Sequence, residues 1–228
     1  MRKTLAVLIL FGLVAVTLPV AVAAIGLDVE AKAGAGIGLG STDNKNITGS
    51  PRLAVNGGAN VDFYLASLGP GELGLSVGGE YSHLTFHYAE SKIPFLFGSD
   101  LVTDVTYGYF NIPIAFIYKF PVNDSVKVVI RAGGFVGFFL AGFADVATDP
   151  GASLGRTALD SSNTPSMNYG LHFTAGADIG LSNGLALAPA IQFDWGFTDI
   201  SKDSIQITPS KDTLWALTLV VGIKYSVL

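Results

Sequence analysis

Residues 27–40 read LDVEAKAGAGIGLG and place an apolar residue at every second position. A period of two is typical of a β-strand, because successive side chains point to opposite faces of the sheet. The residues in between change from charged (Asp28, Glu30 and Lys32) to four glycines. Glycine makes a poor solvated surface, so the stretch raises the question of whether its apolar face meets a protein core or lipid.

The alternation of residues 27–40 recurs along most of the chain. Apolar residues at Tyr109, Ile117 and Val220 interrupt it without introducing a helical period. The connections are alternately long and short, and one short connection contains Asn183-Gly184, a strong hairpin signal. We therefore predict an all-β fold, an eight-stranded antiparallel up-and-down transmembrane β-barrel. The further alternating segments are 52–65, 73–81, 109–120, 126–140, 168–181, 185–197 and 215–225.

The composition indicates a membrane environment. Hydrophobic residues make up 50% of the 228 residues and charged residues 14%, whereas soluble domains average about 25% charged residues. After the N-terminal segment, no apolar run reaches the ~18 residues of a transmembrane helix. The absence of cysteine excludes disulfides and thiolate chemistry. A net charge of -5 excludes a basic nucleic-acid surface.

The N-terminal residues have the features of an export signal. Arg2 and Lys3 precede a short apolar run, and Ala21-Val22-Ala23 forms a small-x-small cleavage site. We therefore expect residues 1–23 to be a signal peptide, with a single-pass anchor as the alternative. Residues 24–228 are expected to form one transmembrane barrel domain.

The two faces of the strands predict which side meets lipid. The polar face consists mostly of glycine, alanine, serine and asparagine, while the apolar face carries bulky side chains. An eight-stranded interior has little room beyond its own side chains, so the bulky face should point outward. We expect Phe116, Leu171 and Leu219 outside the barrel and Lys32 and Asp178 inside. A secreted, soluble barrel with the opposite orientation is the alternative.

Charged residues at inward strand positions predict a polar network inside the barrel. Buried charges are costly unless they are paired, and for Arg131 we predict the partners Asp178 and Glu80. The network either holds the shape of the barrel or lines an ion path. The candidate network residues are Lys32, Glu80, Arg131, Asp178, Asp194 and His172. The six basic and six acidic inward residues are Lys32, Arg52, Lys119, Lys127, Arg131 and Lys224, and Asp28, Glu30, Asp62, Glu80, Asp178 and Asp194. Those expected to be solvated at the rim are Asp28, Lys127 and Lys224.

Catalytic chemistry has little support in the sequence. Of the three histidines only His172 is expected to face inward, and Asp194 on the next strand can approach and orient it. No nucleophile is identifiable beside this pair, so we expect no enzymatic activity, with a lipid-modifying enzyme using His172 as the alternative. The acidic loops match no calcium-loop spacing, and no metal or cofactor site is expected.

Four stretches carry a family resemblance: YFNIPIAFIYKF (109–120), VVIRAGGFVGFFLAG (128–142), the segment 169–200 and LTLVVGIKYSVL (217–228). They resemble the small porin-family outer-membrane β-barrel proteins, which are OmpX-like or similar to the membrane domain of OmpA. The resemblance implies a multi-pass protein in the outer membrane of a diderm bacterium. It also implies contact with outer-membrane lipids and with the barrel-assembly machinery. Such barrels commonly end on an aromatic residue, whereas this sequence ends on Leu228.

An outer-membrane location predicts two rings of aromatic residues at the lipid interfaces and periplasmic N- and C-termini. The expected function is non-enzymatic, either through the long extracellular loops or as a narrow passive channel for small solutes. The third long loop, Gly142 to Ser166, is the expected surface for an extracellular partner. OmpW-like transport of small hydrophobic compounds is a further alternative. The predicted outer ring is Tyr81, Tyr169, Trp195, Phe197 and Trp215, and the inner ring is Phe63, Tyr118, Phe120 and Tyr225.

Overall fold

A computed structural model describes residues 26–43, 47–90, 100–149, 152–160, 164–200 and 212–227. The predicted signal peptide, residues 1–23, lies outside these ranges. Among the described residues, no helix is long and apolar enough to cross a membrane. The strands are β1 (Gly26–Thr42), β2 (Ile47–Leu68), β3 (Gly71–Glu90), β4 (Asp100–Pro121), β5 (Val126–Asp149), β6 (Ala152–Leu159), β7 (Met167–Ser182), β8 (Leu185–Gly196) and β9 (Asp212–Ser226).

Eight of these strands form a closed antiparallel ring in the order β1, β2, β3, β4, β5, β7, β8 and β9. The pairing of β1 with β9 closes the ring, and the predicted eight-stranded barrel is confirmed. Strand β6 lies outside the ring and pairs with residues 142–148 of β5, whereas β7 pairs with residues 126–138. The predicted long loop from Gly142 to Ser166 was therefore wrong in part, because part of it is a β-hairpin.

The barrel has a turn end and a loop end. Short turns at 69–70, 122–125 and 183–184 lie at the turn end. Asn183 and Gly184 have φ values of 41° and 80°, the left-handed conformation that a two-residue hairpin turn requires. Both termini of the described barrel lie at the same end, where the Val227 amide donates to the Leu27 carbonyl at 2.7 Å. Strands β2 to β5 have 20 to 24 residues and project at the loop end, since about ten residues suffice to cross a membrane.

The predicted orientation of the faces is confirmed. Phe116 and Leu219 are 68% and 69% exposed, whereas Lys32 and Asp178 are 7% and 6% exposed. Tyr81, Tyr169, Trp195 and Phe197 of the predicted outer ring are exposed, as is Tyr225 of the inner ring. Phe63 of the predicted inner ring is buried, although it alternates along β2 with the lumen residues Asp62 and Tyr64.

The lumen is not filled by small and ionic side chains alone. Tyr109, Ile117 and Val220, which interrupt the alternation in the sequence, are all buried. Toward the loop end, a set of apolar and aromatic side chains packs together and forms what we call the apolar layer. Its members are Phe86, Val105, Tyr107, Tyr109, Ala144, Leu159, Ile200 and Leu214.

Glycines in the lumen make room for polar side chains of neighbouring strands. A Cβ built on Gly34 would lie 2.6 Å from the Asn56 amide oxygen, and one on Gly196 would lie 2.8 Å from that of Asn168. At two further glycines an added Cβ would also overlap an asparagine amide oxygen. The glycine face of β1 therefore borders the packed lumen and not water. The four pairs are Gly34 with Asn56, Gly78 with Asn60, Gly137 with Asn111, and Gly196 with Asn168.

Candidate functional site

Arg131 connects opposite walls of the barrel. The Arg131 guanidinium on β5 donates to Glu30 on β1 and, at 2.8 and 3.3 Å, to both carboxylate oxygens of Asp62 on β2. Strands β1 and β5 are four positions apart in a ring of eight, so the bond to Glu30 spans the lumen. All three side chains are buried, which is tolerable only because each charge has partners.

Two lysines extend these contacts toward the turn end. Lys224 Nζ lies 3.0 Å from Asp178 and 3.3 Å from Asp62. Lys119 Nζ lies 2.9 Å from Asp28 and 3.9 Å from the centre of the Tyr64 ring, and the Tyr64 hydroxyl donates to the same Asp28 carboxylate. We call this whole set of buried, charge-paired side chains the ion-pair layer.

A second connection between opposite walls lies nearer the middle of the barrel. Gln192 on β8 donates to Glu80 on β3 at 2.8 Å and accepts from Lys32 Nζ at 2.8 Å. Lys32 also pairs with Glu80 at 2.8 Å. Strands β3 and β8 are again four positions apart in the ring. These three side chains therefore connect a second pair of opposite strands across the lumen.

His172 and Asp194 do lie together, as expected from the sequence. His172 Nδ1 is 2.6 Å from Asp194 Oδ1, and Gln192 donates to the other carboxylate oxygen at 2.7 Å. The structure adds a hydroxyl that the sequence reading missed, because Thr174 Oγ1 lies 3.2 Å from His172 Nε2. The order carboxylate, imidazole, hydroxyl is that of a hydrolase triad, but His172 and Thr174 are both buried in the lumen.

The predicted partners of Arg131 were wrong. Asp178 pairs with Lys224 and Glu80 with Lys32, whereas Arg131 pairs with Glu30 and Asp62. In a barrel this narrow, a long side chain meets the opposite wall at its own height, so strand adjacency is a poor guide to its partners. The predicted solvation of Asp28 and Lys224 was also wrong, since both are buried, whereas Lys127 is exposed. The contributors absent from the predicted network are Glu30, Asp62, Lys119, Lys224, Asp28, Tyr64 and Gln192.

The predicted balance of six basic and six acidic lumen residues was wrong. Arg52 is half-exposed and pairs at 3.5 Å with Asp104 toward the loop end, and Lys127 is solvated. Among the described residues of the ion-pair layer and the Gln192 connection, acidic side chains outnumber basic ones. The basic members are Lys32, Lys119, Arg131 and Lys224, and the acidic members are Asp28, Glu30, Asp62, Glu80, Asp178 and Asp194.

The β5–β6 hairpin at the loop end has its own ion pair. Arg156 donates to both carboxylate oxygens of Asp145 at 2.6 and 2.7 Å and stacks 4.2 Å from the centre of the Phe143 ring. These hydrogen bonds from Arg156 hold the pKa of Asp145 below its usual value. In the part of the chain that the structure describes, no three His, Asp or Glu side chains are grouped to hold a metal ion.

A closed antiparallel ring with an apolar exterior and an ion-paired lumen defines a transmembrane β-barrel. The model of the family described as outer membrane protein beta-barrel domain matches residues 21–202. The chain belongs to this family and is an outer-membrane protein.

Several solved structures are similar to the chain in fold. OprG from Pseudomonas aeruginosa is 12% identical, with 89% of this chain and 96% of that chain covered and a TM-score of 0.45. Neisserial surface protein A is 13% identical, with 87% and 96% covered and a TM-score of 0.42. Ail of Yersinia pestis is 9% identical, with 87% and 98% covered and a TM-score of 0.37. No protein with curated function matches significantly, and the family assignment rests on the family model alone.

Proposed function

We propose that this protein is a non-enzymatic outer-membrane barrel with a closed lumen, which acts through the structure it presents at its loop end. The observation that carries the proposal is the pair of connections across the lumen. Arg131 on β5 donates to Glu30 on β1. Gln192 on β8 donates to Glu80 on β3. In both pairs the two strands lie opposite each other in the ring. Side chains held in this way leave little space for a solute, so the geometry supports a surface role over a passive channel.

The loop end is the proposed extracellular side. The turn end, with both termini, is then periplasmic, as short periplasmic turns and long extracellular connections are general in such barrels. In this orientation the projecting parts of β2 to β5, together with β6, stand above the lipid. Outer-membrane lipids surround the barrel, and the assembly machinery inserts it.

The β5–β6 hairpin is the proposed contact surface for an extracellular partner. Bidentate pairing of Arg156 with Asp145 and stacking on Phe143 fix its shape. Leu154 on β6 is half-exposed and offers an apolar contact beside these charges. A preordered surface binds with a smaller entropy cost than a flexible loop, which favours this hairpin as the interacting element.

Conductance in planar lipid bilayers tests the closed lumen. We expect the purified, refolded wild-type barrel to insert without producing stable current steps, because the charges in its lumen are paired across the diameter. Insertion is checked separately by the protease resistance of the barrel in the same lipid. Regular, ohmic steps from correctly inserted protein would contradict the proposal and favour a passive channel.

A second candidate function is favoured by the apolar layer. Aromatic and aliphatic side chains, among them Phe86, Tyr107 and Leu214, line the loop-end half of the lumen. This lining suits a small hydrophobic compound better than an ion. Saturable binding of an apolar fluorescent dye by the folded barrel, lost in Tyr107→Arg, would favour such a transport role over the closed barrel.

The triad-like arrangement at His172 allows a direct test of the non-enzymatic proposal. Thr174 Oγ1 lies within reach of His172, but both groups are buried. We expect vesicles that contain the Thr174→Val or the His172→Gln variant to keep the same lipid composition as vesicles that contain the wild-type protein. Lipid hydrolysis by the wild type that either substitution abolishes, seen by mass spectrometry, would overturn the proposal.

A further inference from the structure

Five charged side chains form one row on the outward face of β2 to β6 at the loop end. Asp104 of β4 lies opposite His87 of β3 on one side and Asp145 of β5 on the other. Asp145 in turn lies opposite Arg156 of β6. Arg52 of β2 reaches across β3, so that its Nε is 3.5 Å from Asp104 Oδ1. We call these five residues the outer charged row.

The outer charged row continues the lipid-facing surface of the barrel upward. On β3, His87 and the exposed Tyr81 of the outer ring point in the same direction, and the residues between them alternate with the buried Ser82 and Phe86. The distance from Tyr81 to His87 is about 20 Å along the strand and about 15 Å along the membrane normal at a tilt of ~40°. The row therefore stands above Tyr81 on the side of the barrel that faces the surrounding lipid.

The height of the row decides which lipids can reach it. The head groups of a phospholipid bilayer add about 5–7 Å on each side of the hydrocarbon core. A phospholipid phosphate therefore lies well below a row that stands about 15 Å above the aromatic ring. The outer leaflet of an outer membrane contains glycolipids, whose sugars extend farther from the hydrocarbon. At the proposed extracellular end, the row faces these sugars.

The side chains of the row hold one another in place and keep free hydrogen-bonding capacity. Arg156 donates to Asp145 through Nε and Nη2, and its Nη1 has no partner among the described residues. His87 and Arg52 both contact the Oδ1 atom of Asp104, which leaves its Oδ2 available. The side chains of Arg52 and Arg156 are 45% and 63% exposed. Fixed donors beside fixed acceptors suit sugar hydroxyls, which both donate and accept.

The charge of the row favours a saccharide over a simple anion, because two aspartates balance its two arginines. Asp104 and Asp145 lie directly opposite each other, an unfavourable pairing of like charges in a sheet. Exposed ion pairs contribute little to stability, so stability alone does not explain the arrangement. Hydroxyl groups that donate to the two carboxylates would relieve the repulsion between them.

We propose that the outer charged row binds the saccharide head group of an outer-leaflet glycolipid, with Arg52 and Arg156 as donors and Asp104 as acceptor. The acyl chains of this lipid lie against the apolar surface below the row, where Leu140 of β5 is half-exposed. The tip of the β5–β6 hairpin, with Leu154, stays available for the extracellular partner. The inference rests on the proposed extracellular side of the loop end but not on the closed lumen.

Thermal unfolding in lipid vesicles tests the row. Wild-type barrel is compared in phosphatidylcholine vesicles without addition and with equal mole fractions of phosphatidylglycerol, lipid A or rough lipopolysaccharide, which carries core sugars beyond lipid A. At ten times the half-saturating fraction, rough lipopolysaccharide should raise the midpoint by about 3–6 °C. Phosphatidylglycerol and lipid A should not, because their charges stay near the hydrocarbon. An equal shift with either of them would overturn the proposal.

The double variant Arg52→Met with Arg156→Met should lose the shift while unfolding like the wild type in phosphatidylcholine alone. Lys127→Met is the matched control, since Lys127 is an exposed cation at the turn end, outside the row. It should keep the full shift. No shift for the wild type, or equal shifts in the double variant and the control, would refute the row as a glycolipid site. Each lipid is present in both leaflets, so such a failure would count against the row and not against the proposed orientation.

Discussion

Replacing Arg131 with methionine should lower the free energy of unfolding of the barrel by about 3–5 kcal/mol, the cost of removing one partner from a buried ion pair. Methionine has similar length and is apolar, so the loss comes from charge and not from volume. Among the described residues, Glu30 and Asp62 would remain buried with Lys224 as their one remaining cationic partner. Urea unfolding of the refolded barrel in detergent, followed by tryptophan fluorescence and by gel mobility without heating, measures the change.

Arg156→Met is the matched control. Arg156 makes the same bidentate contact with an aspartate, but at the surface of the β5–β6 hairpin. Exposed ion pairs contribute little to stability, so this variant should unfold close to the wild type. The double variant Arg131→Met with Asp62→Asn should recover part of the loss, because it removes one of the unpaired charges. Equal effects at Arg131 and Arg156 would show that the lumen pairs are not buried as described.

Gly34→Ala should destabilise the barrel by about 1–3 kcal/mol, the usual cost of overpacking a filled interior. An added Cβ would lie 2.6 Å from both the Asn56 amide oxygen and the Leu219 carbonyl oxygen. The amide can rotate away, but the Leu219 carbonyl belongs to β9 and takes part in closing the ring with β1. The same urea titration measures the loss.

Gly57→Ala provides the comparison for Gly34. Gly57 pairs with Ala33 in the same two strands, and a Cβ there would meet its nearest atom at 3.6 Å, an ordinary contact. Alanine should therefore be tolerated at position 57 or slightly stabilising. If both alanine variants lost the same amount of stability, the glycines of β1 and β2 would be needed for strand flexibility and not for space in the lumen.

The lumen has a polar half and an apolar half, and the two halves call for different explanations. In the ion-pair layer, charges stay buried because each has partners on other strands, as Lys224 has in Asp178 and Asp62. In the apolar layer, Phe86 of β3, Tyr109 of β4 and Leu214 of β9 pack in one cluster. Closure of the loop-end half therefore rests on ring packing, and closure of the turn-end half on ion pairs.

The residues that broke the alternation show how far pattern reading extends. The sequence marks Tyr109 and Ile117 as exceptions, and the structure buries both inside the barrel. Both lie in phase with Lys119 of the same strand, which is also buried, whereas Phe116 on the other face is exposed. They are apolar side chains at inward positions that pack in apolar clusters, and the alternation alone does not show that part of the lumen is apolar.

The sequence by itself determined that this chain is an eight-stranded barrel with bulky side chains toward lipid, because a period of two and the size of the residues on each face are local properties. The tertiary structure alone decided the partners of Arg131, the asparagines that occupy the glycine positions and the strand β6 outside the ring. Contacts across the lumen depend on the diameter of the barrel and on the relative height of strands far apart in sequence. Those quantities exist only once the ring has closed.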